Sequence, residues 1–242
     1  MRDKLDTLRD WIGESRSIVF FGGAGVSTES GIPDFRSVDG LYNQQYDEPP
    51  ETIISHSYFL RYPEKFYRFY RDKMIYTAAK PNDCHLALAK LEAEGKLAAV
   101  VTQNIDGLHQ AAGSRNVIEL HGSTLRNYCM KCGKGFDVSY VLAADEVPKC
   151  DKCGGMVRPD VVLYEESLHD GDMERAVGYI RKADLFIVGG TSLTVYPAAG
   201  LVDYYRGSRL VLINKSATPY DRYANLAIAD SIGKVFRQCV LS

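Results

Sequence analysis

Four of the six cysteines form two close pairs, Cys129/Cys132 and Cys150/Cys153. Each pair is a Cys-x-x-Cys motif with a glycine after its second cysteine, and seventeen residues separate the pairs. This spacing is typical of a tetrahedral four-thiolate zinc site of the ribbon type. Two disulfides are the alternative, which a reducing compartment disfavours. Because four thiolates fill the coordination shell, we predict one structural zinc that takes no part in catalysis.

A glycine-rich turn, Gly22-Gly23-Ala24-Gly25, follows the apolar run at 17–21. Glycines let a backbone approach a phosphate closely, and the N-terminus of a following helix would offer free N–H groups and the positive end of its dipole. The match to the dinucleotide fingerprint is incomplete, because Thr28 occupies the third glycine position. The turn by itself therefore leaves phosphate binding and a plain tight turn equally open.

Two further groups stand where apolar runs end. Gln103-Asn104-Ile105-Asp106 places two amides and a carboxylate directly after the run at 97–102, and His121 follows the run at 116–120. An imidazole with a pKa near 7 suits proton transfer at physiological pH. We predict structural or surface positions for the other four histidines, which are His56, His85, His109 and His169.

Short apolar runs alternate with helical patterns along most of the chain. Such near-continuous apolar strands favour a parallel sheet covered on both faces, with ligands at the carboxyl ends of its strands. The predicted strands are 17–21, 97–102, 116–120, 184–188, 209–213 and 227–230, and the predicted helices include 63–76, 82–94 and 198–205.

Two segments interrupt this alternation, the aromatic-rich residues 39–79 and the cysteine-containing residues 128–158. We predict an α/β fold in which a Rossmann-like parallel-sheet domain carries an inserted smaller domain, part helical module and part zinc ribbon. The larger domain would comprise residues 1–38, 80–127 and 159–242.

Composition excludes several functional classes. The chain has 242 residues, 45% of them hydrophobic, with a net charge of −2 and a pI near 6.2. No basic run attracts nucleic acid or an anionic membrane, and no apolar stretch has the roughly 20 residues that a membrane helix needs. The first residues lack the apolar run of a signal peptide. We therefore expect a cytoplasmic protein, with no nucleic-acid or membrane partner, that is monomeric.

The sequence resembles the sirtuin family over nearly its whole length. The resemblance is carried, in family order, by Gly23-Ala24-Gly25-Val26-Ser27, Ser30-Gly31-Ile32-Pro33-Asp34-Phe35-Arg36, Gln103-Asn104-Ile105-Asp106, His121-Gly122, the four paired cysteines, Arg158-Pro159, Gly190-Thr191-Ser192-Leu193 with Val195 and Pro197, and Ile213-Asn214.

This resemblance implies an NAD-dependent protein-lysine deacetylase, with the acyl-lysine of a protein or peptide bound between the NAD domain and the zinc domain. In that chemistry the acyl oxygen displaces nicotinamide at the ribose carbon and gives an imidate-type adduct. A histidine base then activates a ribose hydroxyl, and water releases the amine. The products are nicotinamide, free lysine and O-acyl-ADP-ribose.

The resemblance also implies roles for individual residues. His121 would be the general base, and Asn104 and Asp106 would line the nicotinamide pocket. Phe35 would shield the reacting ribose, and Arg36 would lie near the phosphates. The remaining residues implied to bind NAD are Gly23, Ala24, Gly25, Thr28, Gln103, Ile105, Gly190, Thr191, Ser192, Asn214 and Ile232.

Substrate peptides in the family bind by β-strand addition between two segments. The matching segments here are residues 161–166 and 193–196, and the residues predicted to contact the peptide are Val161, Val162, Tyr164, Glu166, Val195 and Tyr196. One position departs from the family pattern, because Glu165 stands where a glycine is usual. That change predicts an altered peptide preference, in favour of basic flanking residues.

Tyr70 and Lys73 bear on the choice of acyl group. Sirtuins that remove succinyl-type groups resemble one another in a Tyr-x-x-Arg pair, and Lys73 occupies the arginine position here. Lysine offers a point charge and not the two-pronged grip of a guanidinium on a carboxylate. The sequence therefore favours acetyl over succinyl groups, and Tyr70 is alternatively one of several packing aromatics.

Three other functions compete with deacetylation. A mono-ADP-ribosyltransferase would use the same NAD site, but His121 and its neighbours favour deacylation. A non-catalytic zinc-ribbon reader of acetyl-lysine would need neither the glycine turn nor residues 103–106. A dehydrogenase would need a catalytic pair for hydride transfer, which does not accompany the turn.

Overall fold

The computed structural model describes residues 3–35, 40–41, 46 and 48–242. Within these residues, nine strands form two sheets. Their bounds are β1 Ile18–Gly22, β2 Leu97–Thr102, β3 Val117–Glu119, β4 Gly122–Cys129, β5 Gly135–Asp137, β6 Val157–Val161, β7 Leu185–Gly189, β8 Leu210–Ile213 and β9 Leu226–Ile228.

The α-helices are α1 Lys4–Glu14, α2 Pro50–Ile53, α3 His56–Arg61, α4 Pro63–Lys73, α5 Asp83–Ala93, α6 Leu108–Ala111, α7 Val138–Leu142, α8 Asp170–Lys182 and α9 Ile232–Phe236. Single turns and short runs of 3-10 helix lie at Ala24–Val26, Thr28–Ser30, Ala198–Tyr204 and Asp221–Tyr223, and a π-helical turn, Arg237–Leu241, follows α9.

The larger sheet has six parallel strands in the order β3-β2-β1-β7-β8-β9. This order confirms the predicted Rossmann-like core, including the sixth strand. The chain runs outward in one direction from β1 and in the other from β7, so the strand order reverses between these two neighbours. Ligands of doubly wound sheets bind at the carboxyl ends of the strands at such a point.

Apolar layers cover both faces of this sheet. On one face α1, α5 and α9 pack over residues such as Phe20 and Ile187. On the other face α8 and the 198–204 turn pack over Phe21 and Val188. Because both faces are buried, the central strands need the uninterrupted apolar runs that the sequence shows.

The smaller sheet has three antiparallel strands in the order β5-β4-β6. Helices α2, α3 and α4 pack beside it through an aromatic-rich core that includes Phe59, Phe66 and Tyr67. The predicted domain bounds at 127/128 and 158/159 fall inside β4 and β6, and the division into domains stays a prediction.

One local prediction was wrong. The helix expected after the glycine turn is instead two single 3-10 turns, which end at Gly31 in the left-handed conformation (φ 82°) with a proline two residues later. The helix predicted at 198–205 is confirmed at Ala198–Tyr204, where it is a 3-10 helix directly after Pro197. Among the described residues, no helix has the length and hydropathy that a membrane span requires.

Two buried histidines, one on α5 and one on α6, lie against each other. His85 on α5 and His109 on α6 are 0% and 1% exposed, and their ring centroids are 4.7 Å apart. Within the described residues neither ring nitrogen of His109 has a hydrogen-bond partner. His85 Nδ1 accepts from the Asn82 backbone N–H at 3.2 Å and so closes the capping box of α5.

This pair should make the fold sensitive to acid. Burial lowers the pKa of His85 to about 4 and holds the pKa of His109 well below its ordinary value. Unfolded histidine has a pKa of about 6.5, so the unfolded state binds protons first as the pH falls. Stability that is complete above that value is lost as the pH falls below it. For His85 the loss is about 2 kcal/mol at pH 5, and the lowered pKa of His109 adds a loss in the same direction.

Urea unfolding at pH 7 and pH 5 measures this effect. The His109→Phe variant, which keeps an aromatic ring, should lose less stability between the two pH values than the unmodified protein. Equal losses in the two proteins would contradict the assignment to His109.

Candidate active site

The glycine turn and β7 meet at the point where the strand order reverses. The Gly25 N–H donates to the Gly190 carbonyl at 2.8 Å. A Cβ on Gly25 would lie 2.8 Å from the Gly190 Cα, and a Cβ on Gly23 would lie 2.8 Å from the Thr191 Cβ. Only glycine fits where the two backbone segments come this close. Residues 23–25 and 190–191 together form the glycine cradle.

Ser27 links two predicted site residues. Its hydroxyl donates to Asp106 Oδ2 at 2.7 Å and accepts from Asn104 Nδ2 at 3.1 Å. The other carboxylate oxygen of Asp106 accepts from the Leu108 N–H at 2.9 Å. Asn104 is thereby held in place, and its Oδ1 has no hydrogen-bond partner among the described residues. Ser27 is one of the residues that carry the family resemblance, but it was not predicted to be a site residue, although its place two residues after Gly25 was a usable signal.

His121 is fixed by the backbone of the neighbouring strand end. Its Nδ1 lies 2.9 Å from the Gln103 carbonyl oxygen. Since a carbonyl only accepts, the proton of the neutral ring is assigned to Nδ1 and the lone pair to Nε2. Burial lowers the pKa of His121, and the hydrogen bond to Gln103 offsets part of this. The ring is therefore neutral at pH 7 and able to accept a proton.

Polar groups continue from β2 to β8. Gln103 Nε2 donates to Thr191 Oγ1 at 3.0 Å, and the Thr191 N–H donates to Asn214 Oδ1 at 3.0 Å. Asn214 Nδ2 is buried and finds no acceptor in the described part of the chain. A buried donor without a partner is costly. This amide and the glycine cradle fit a dinucleotide spread along the strand ends.

Other predicted NAD residues have varied surroundings. Ala24 and Thr28 are half-buried, and Thr28 Oγ1 donates to the Gly25 carbonyl at 3.0 Å. Phe35 and Ile105 pack against the aromatic-rich core of the smaller sheet. Ile232 is 3% exposed and lies in an apolar cluster.

Ser192 is exposed and shares a hydrogen bond with Thr194. Arg36 lies outside the described residues, so its predicted place near the phosphates stays a prediction.

The first predicted peptide segment starts beside His121. The Val162 N–H donates to the His121 carbonyl at 3.0 Å, and Val161 pairs with Gly122. Tyr164 is 37% exposed. The carboxylate of Glu166 is directed into the protein, where it accepts two hydrogen bonds from Arg158, at 2.8 and 3.0 Å. This pairing helps to lower the pKa of Glu166 to about 2 against the opposing effect of burial.

The second predicted segment precedes the 198–204 turn. Val195 is half-buried, and Tyr196 is 68% exposed. Leu193, just before them, has φ 55°. The contacts of these residues with a peptide remain a prediction.

The four paired cysteines converge at the end of the smaller sheet. Their sulfur atoms all lie within 4.8 Å of one another, with 3.5 Å between Cys129 and Cys153 and 3.7 Å between Cys132 and Cys150. Zn–S bonds of about 2.3 Å in a tetrahedron require S···S distances of about 3.8 Å. The geometry therefore fits the predicted zinc.

Glycines shape both turns of this site. Gly133 and Gly154 have φ 69° and 70°, and their N–H groups donate to the carbonyls of Cys129 and Cys150 at 2.9 and 2.8 Å. These are the tight turns that the glycines predicted. Four thiolates leave no open coordination position, as expected of a structural metal.

A comparison with known protein families shows which family this chain belongs to. The model of the Sir2 family, the sirtuins, matches residues 23–197. The chain belongs to the Sir2 family. The match contains the glycine turn, residues 103–106, His121 and all four paired cysteines, whereas Asn214 and Ile232 lie beyond it.

Close relatives of this Sir2-family chain are known. An NAD-dependent protein deacetylase of Clostridium acetobutylicum is 60% identical over 241 residues, which are 98% of each chain. A solved Sir2 complex with a p53 peptide and NAD+ has a TM-score of 0.84 at 40% identity, over 98% of this chain and 97% of that one. A Sir2 variant with a deacetylated p53 peptide and 3'-O-acetyl ADP ribose has a TM-score of 0.88, with the same identity and coverage.

Proposed function

We propose that this Sir2-family chain removes acetyl groups from protein lysine side chains, consuming NAD and releasing nicotinamide, O-acetyl-ADP-ribose and free lysine. The relatives support this function, by the name of the 60% identical clostridial protein and by the product complex of the Sir2 variant. The observation that carries it is His121, a neutral imidazole that the Gln103 carbonyl holds at the carboxyl ends of the strands.

NAD, when bound, supplies the ribose–nicotinamide bond that breaks and the ribose hydroxyl that attacks. His121 Nε2 accepts the proton of that hydroxyl, because Nδ1 is already committed to the Gln103 carbonyl. The imidazolium that forms is stabilised by the same carbonyl, so the ring does not need to turn.

The other residues bind and orient. Asn104, fixed through Ser27 and Asp106, presents Oδ1 to the nicotinamide amide or to a water. Phe35 and Ile105, at the edge of the aromatic-rich core, exclude water from the reacting ribose face. Asn214 Nδ2, which is buried without an acceptor among the described residues, would donate to the adenosine half.

We propose acetyl as the preferred acyl group, on the surroundings of Tyr70 and Lys73. Tyr70 is 1% exposed and stacks on Phe66 with ring centroids 5.4 Å apart, so it belongs to the packing face. The amine of Lys73 lies 3.0 Å from the Asp72 carboxylate. A succinyl carboxylate would have to compete with Asp72 for a single point charge.

Mass spectrometry of an acetyl-lysine peptide mixed with the protein and NAD tests the function. We expect NAD-dependent loss of the acetyl mass, equimolar nicotinamide release, and slower turnover of a matched succinyl peptide. The Tyr70→Phe variant, which removes only the hydroxyl, should keep acetyl turnover within about twofold, because that hydroxyl has no partner in the described structure.

Other outcomes would contradict the proposal. ADP-ribose attached to protein without deacetylation would identify a transferase, and NAD left intact with either peptide would identify a reader. Faster turnover of the succinyl peptide that is lost in Tyr70→Phe would make Tyr70 a specificity residue and overturn the acyl preference.

A further inference from the structure

Glu165 has a backbone conformation that residues other than glycine rarely adopt. Its φ is 76°, and Leu193, at φ 55°, is the other non-glycine residue of the described chain with a positive φ. A residue with a Cβ is strained in this region, whereas glycine is not. Each of the two lies in a segment that the family resemblance assigns to peptide binding. Strain of this kind persists only where surrounding contacts hold it, and it concentrates at functional sites.

The contacts that hold Glu165 come from the start of α3. One carboxylate oxygen accepts from the Ser57 N–H at 2.8 Å, and the other accepts from the Ser57 hydroxyl at 2.9 Å. Both oxygens thus bind the same residue, at the second position of the helix, where backbone N–H groups have no intrahelical partner. The carboxylate is thus bound to the start of the helix, and the preference for basic peptide flanks stays a prediction.

Backbone hydrogen bonds join the same two parts of the chain. The Tyr164 N–H donates to the Ile54 carbonyl at 3.1 Å, and the His56 N–H donates to the Tyr164 carbonyl at 3.0 Å. His56 Nδ1 also lies 2.7 Å from Glu166. Each of residues 164–166 is therefore hydrogen-bonded to the segment 54–57.

One backbone donor of this segment is left over. Four N–H groups of the segment have acceptors within the protein. Val162 donates to the His121 carbonyl, and Leu163 donates to the Glu166 carboxylate. Tyr164 donates to the Ile54 carbonyl, and Glu166 donates to the Leu163 carbonyl. The Glu165 N–H has no acceptor among residues 3–35, 40–41, 46 and 48–242. It is the donor that β-strand addition by a peptide carbonyl would use.

The geometry points to Glu165 as a positioning residue for the substrate peptide, an inference that rests on the proposed deacetylase function. Its side chain clamps residues 164–166 onto Ser57 and keeps its own N–H directed outward before the peptide arrives. A segment ordered in advance loses less conformational entropy on binding. The side chain therefore acts on peptide affinity and not on the chemical step.

Steady-state kinetics of four variants test this inference, with the peptide and NAD varied separately. Glu165→Ala keeps the strained φ and loses both bonds to Ser57, so the peptide KM should rise about tenfold, with kcat and the KM for NAD within about twofold. Glu165→Gly also loses the bonds but removes the strain, and its peptide KM should rise less, about threefold.

The other two variants separate the individual hydrogen bonds. Glu165→Gln keeps an oxygen acceptor for Ser57 and should stay within about threefold of the unmodified protein. Of the two bonds to Glu165, Ser57→Ala loses only the one from the hydroxyl, together with a 3.5 Å contact to the Ser55 hydroxyl. Its effect should shrink when Glu165→Ala is already present, because the two residues share one interaction.

Peptides with lysine or glutamate beside the acetyl-lysine complete the test. The effect of Glu165→Ala should be the same for both peptides. An effect confined to the lysine-flanked peptide would overturn the inference in favour of direct charge recognition. A fall in kcat with unchanged peptide KM, or no change in any variant, would overturn it as well.

Failure of the inference is distinguishable from failure of the proposed function. If the unmodified protein does not deacetylate either peptide, the function fails. If it does, and Glu165→Ala matches it in peptide KM, only the role of Glu165 fails. Thermal unfolding midpoints and the KM for NAD show whether each variant is folded.

Discussion

Deacetylation should fall by about 10²- to 10⁴-fold when His121 is replaced by alanine, the range by which a positioned general base accelerates proton transfer. Nicotinamide release should be retained to a greater extent, because displacement of nicotinamide precedes the step that needs the base. Quantifying nicotinamide and O-acetyl-ADP-ribose in the same reaction separates the two. His169→Ala, which removes an exposed histidine at the start of α8, is the matched control and should behave as the unmodified protein.

The pH dependence of deacetylation is a second test of the role of His121. Because burial lowers the pKa of His121 below its ordinary value of 6.5, the imidazole stays neutral to lower pH than a free histidine. The acid limb of kcat/KM, which reports groups of the free enzyme, should therefore lie below pH 6.5, and the residual activity of His121→Ala should lack it. A variant with full deacetylation, or with an unchanged acid limb, would remove His121 from the proton transfer.

Loss of the zinc should destabilise the smaller sheet and abolish deacetylation. Binding of structural zinc contributes about 10–16 kcal/mol to the folding of small zinc modules at pH 7. Cys129→Ser removes one thiolate, and a strong chelator removes the metal from the unmodified protein. We expect less than one zinc per chain by atomic emission, and an additional unfolding transition at low urea.

The loss of activity has a structural reason. β4 begins at Gly122, next to His121, and carries Cys129 at its other end. β6 pairs with β4 and leads into Val162, whose N–H donates to His121. The metal therefore holds two strands that end at the proposed base. Cys239→Ser, distant in sequence from the metal site, should retain zinc and activity. Full activity in a zinc-free Cys129→Ser protein would contradict this coupling.

Much of the fold could be predicted because local patterns are strong in this chain. The strand Leu97–Thr102 was predicted with its observed bounds, since an uninterrupted apolar run ending in polar residues has few other interpretations. The cysteine spacing predicted a cluster that the geometry fits, because four ligands at short separations constrain the backbone between them. The glycine turn was ambiguous, and its conformation as 3-10 turns depended on contacts with Gly190, far away in sequence.

The sequence by itself determined the strand and helix pattern, the zinc ligands and the placing of polar residues at strand ends, since these follow from residue type and spacing over short ranges. Only the tertiary structure decided that Ser27 joins Asn104 to Asp106 and that Gln103 fixes the tautomer of His121. It alone showed that the carboxylate of Glu165 binds Ser57, more than a hundred residues earlier in the chain. Such contacts depend on how the fold brings together segments that are distant in sequence. No local pattern encodes which side-chain atoms then face each other.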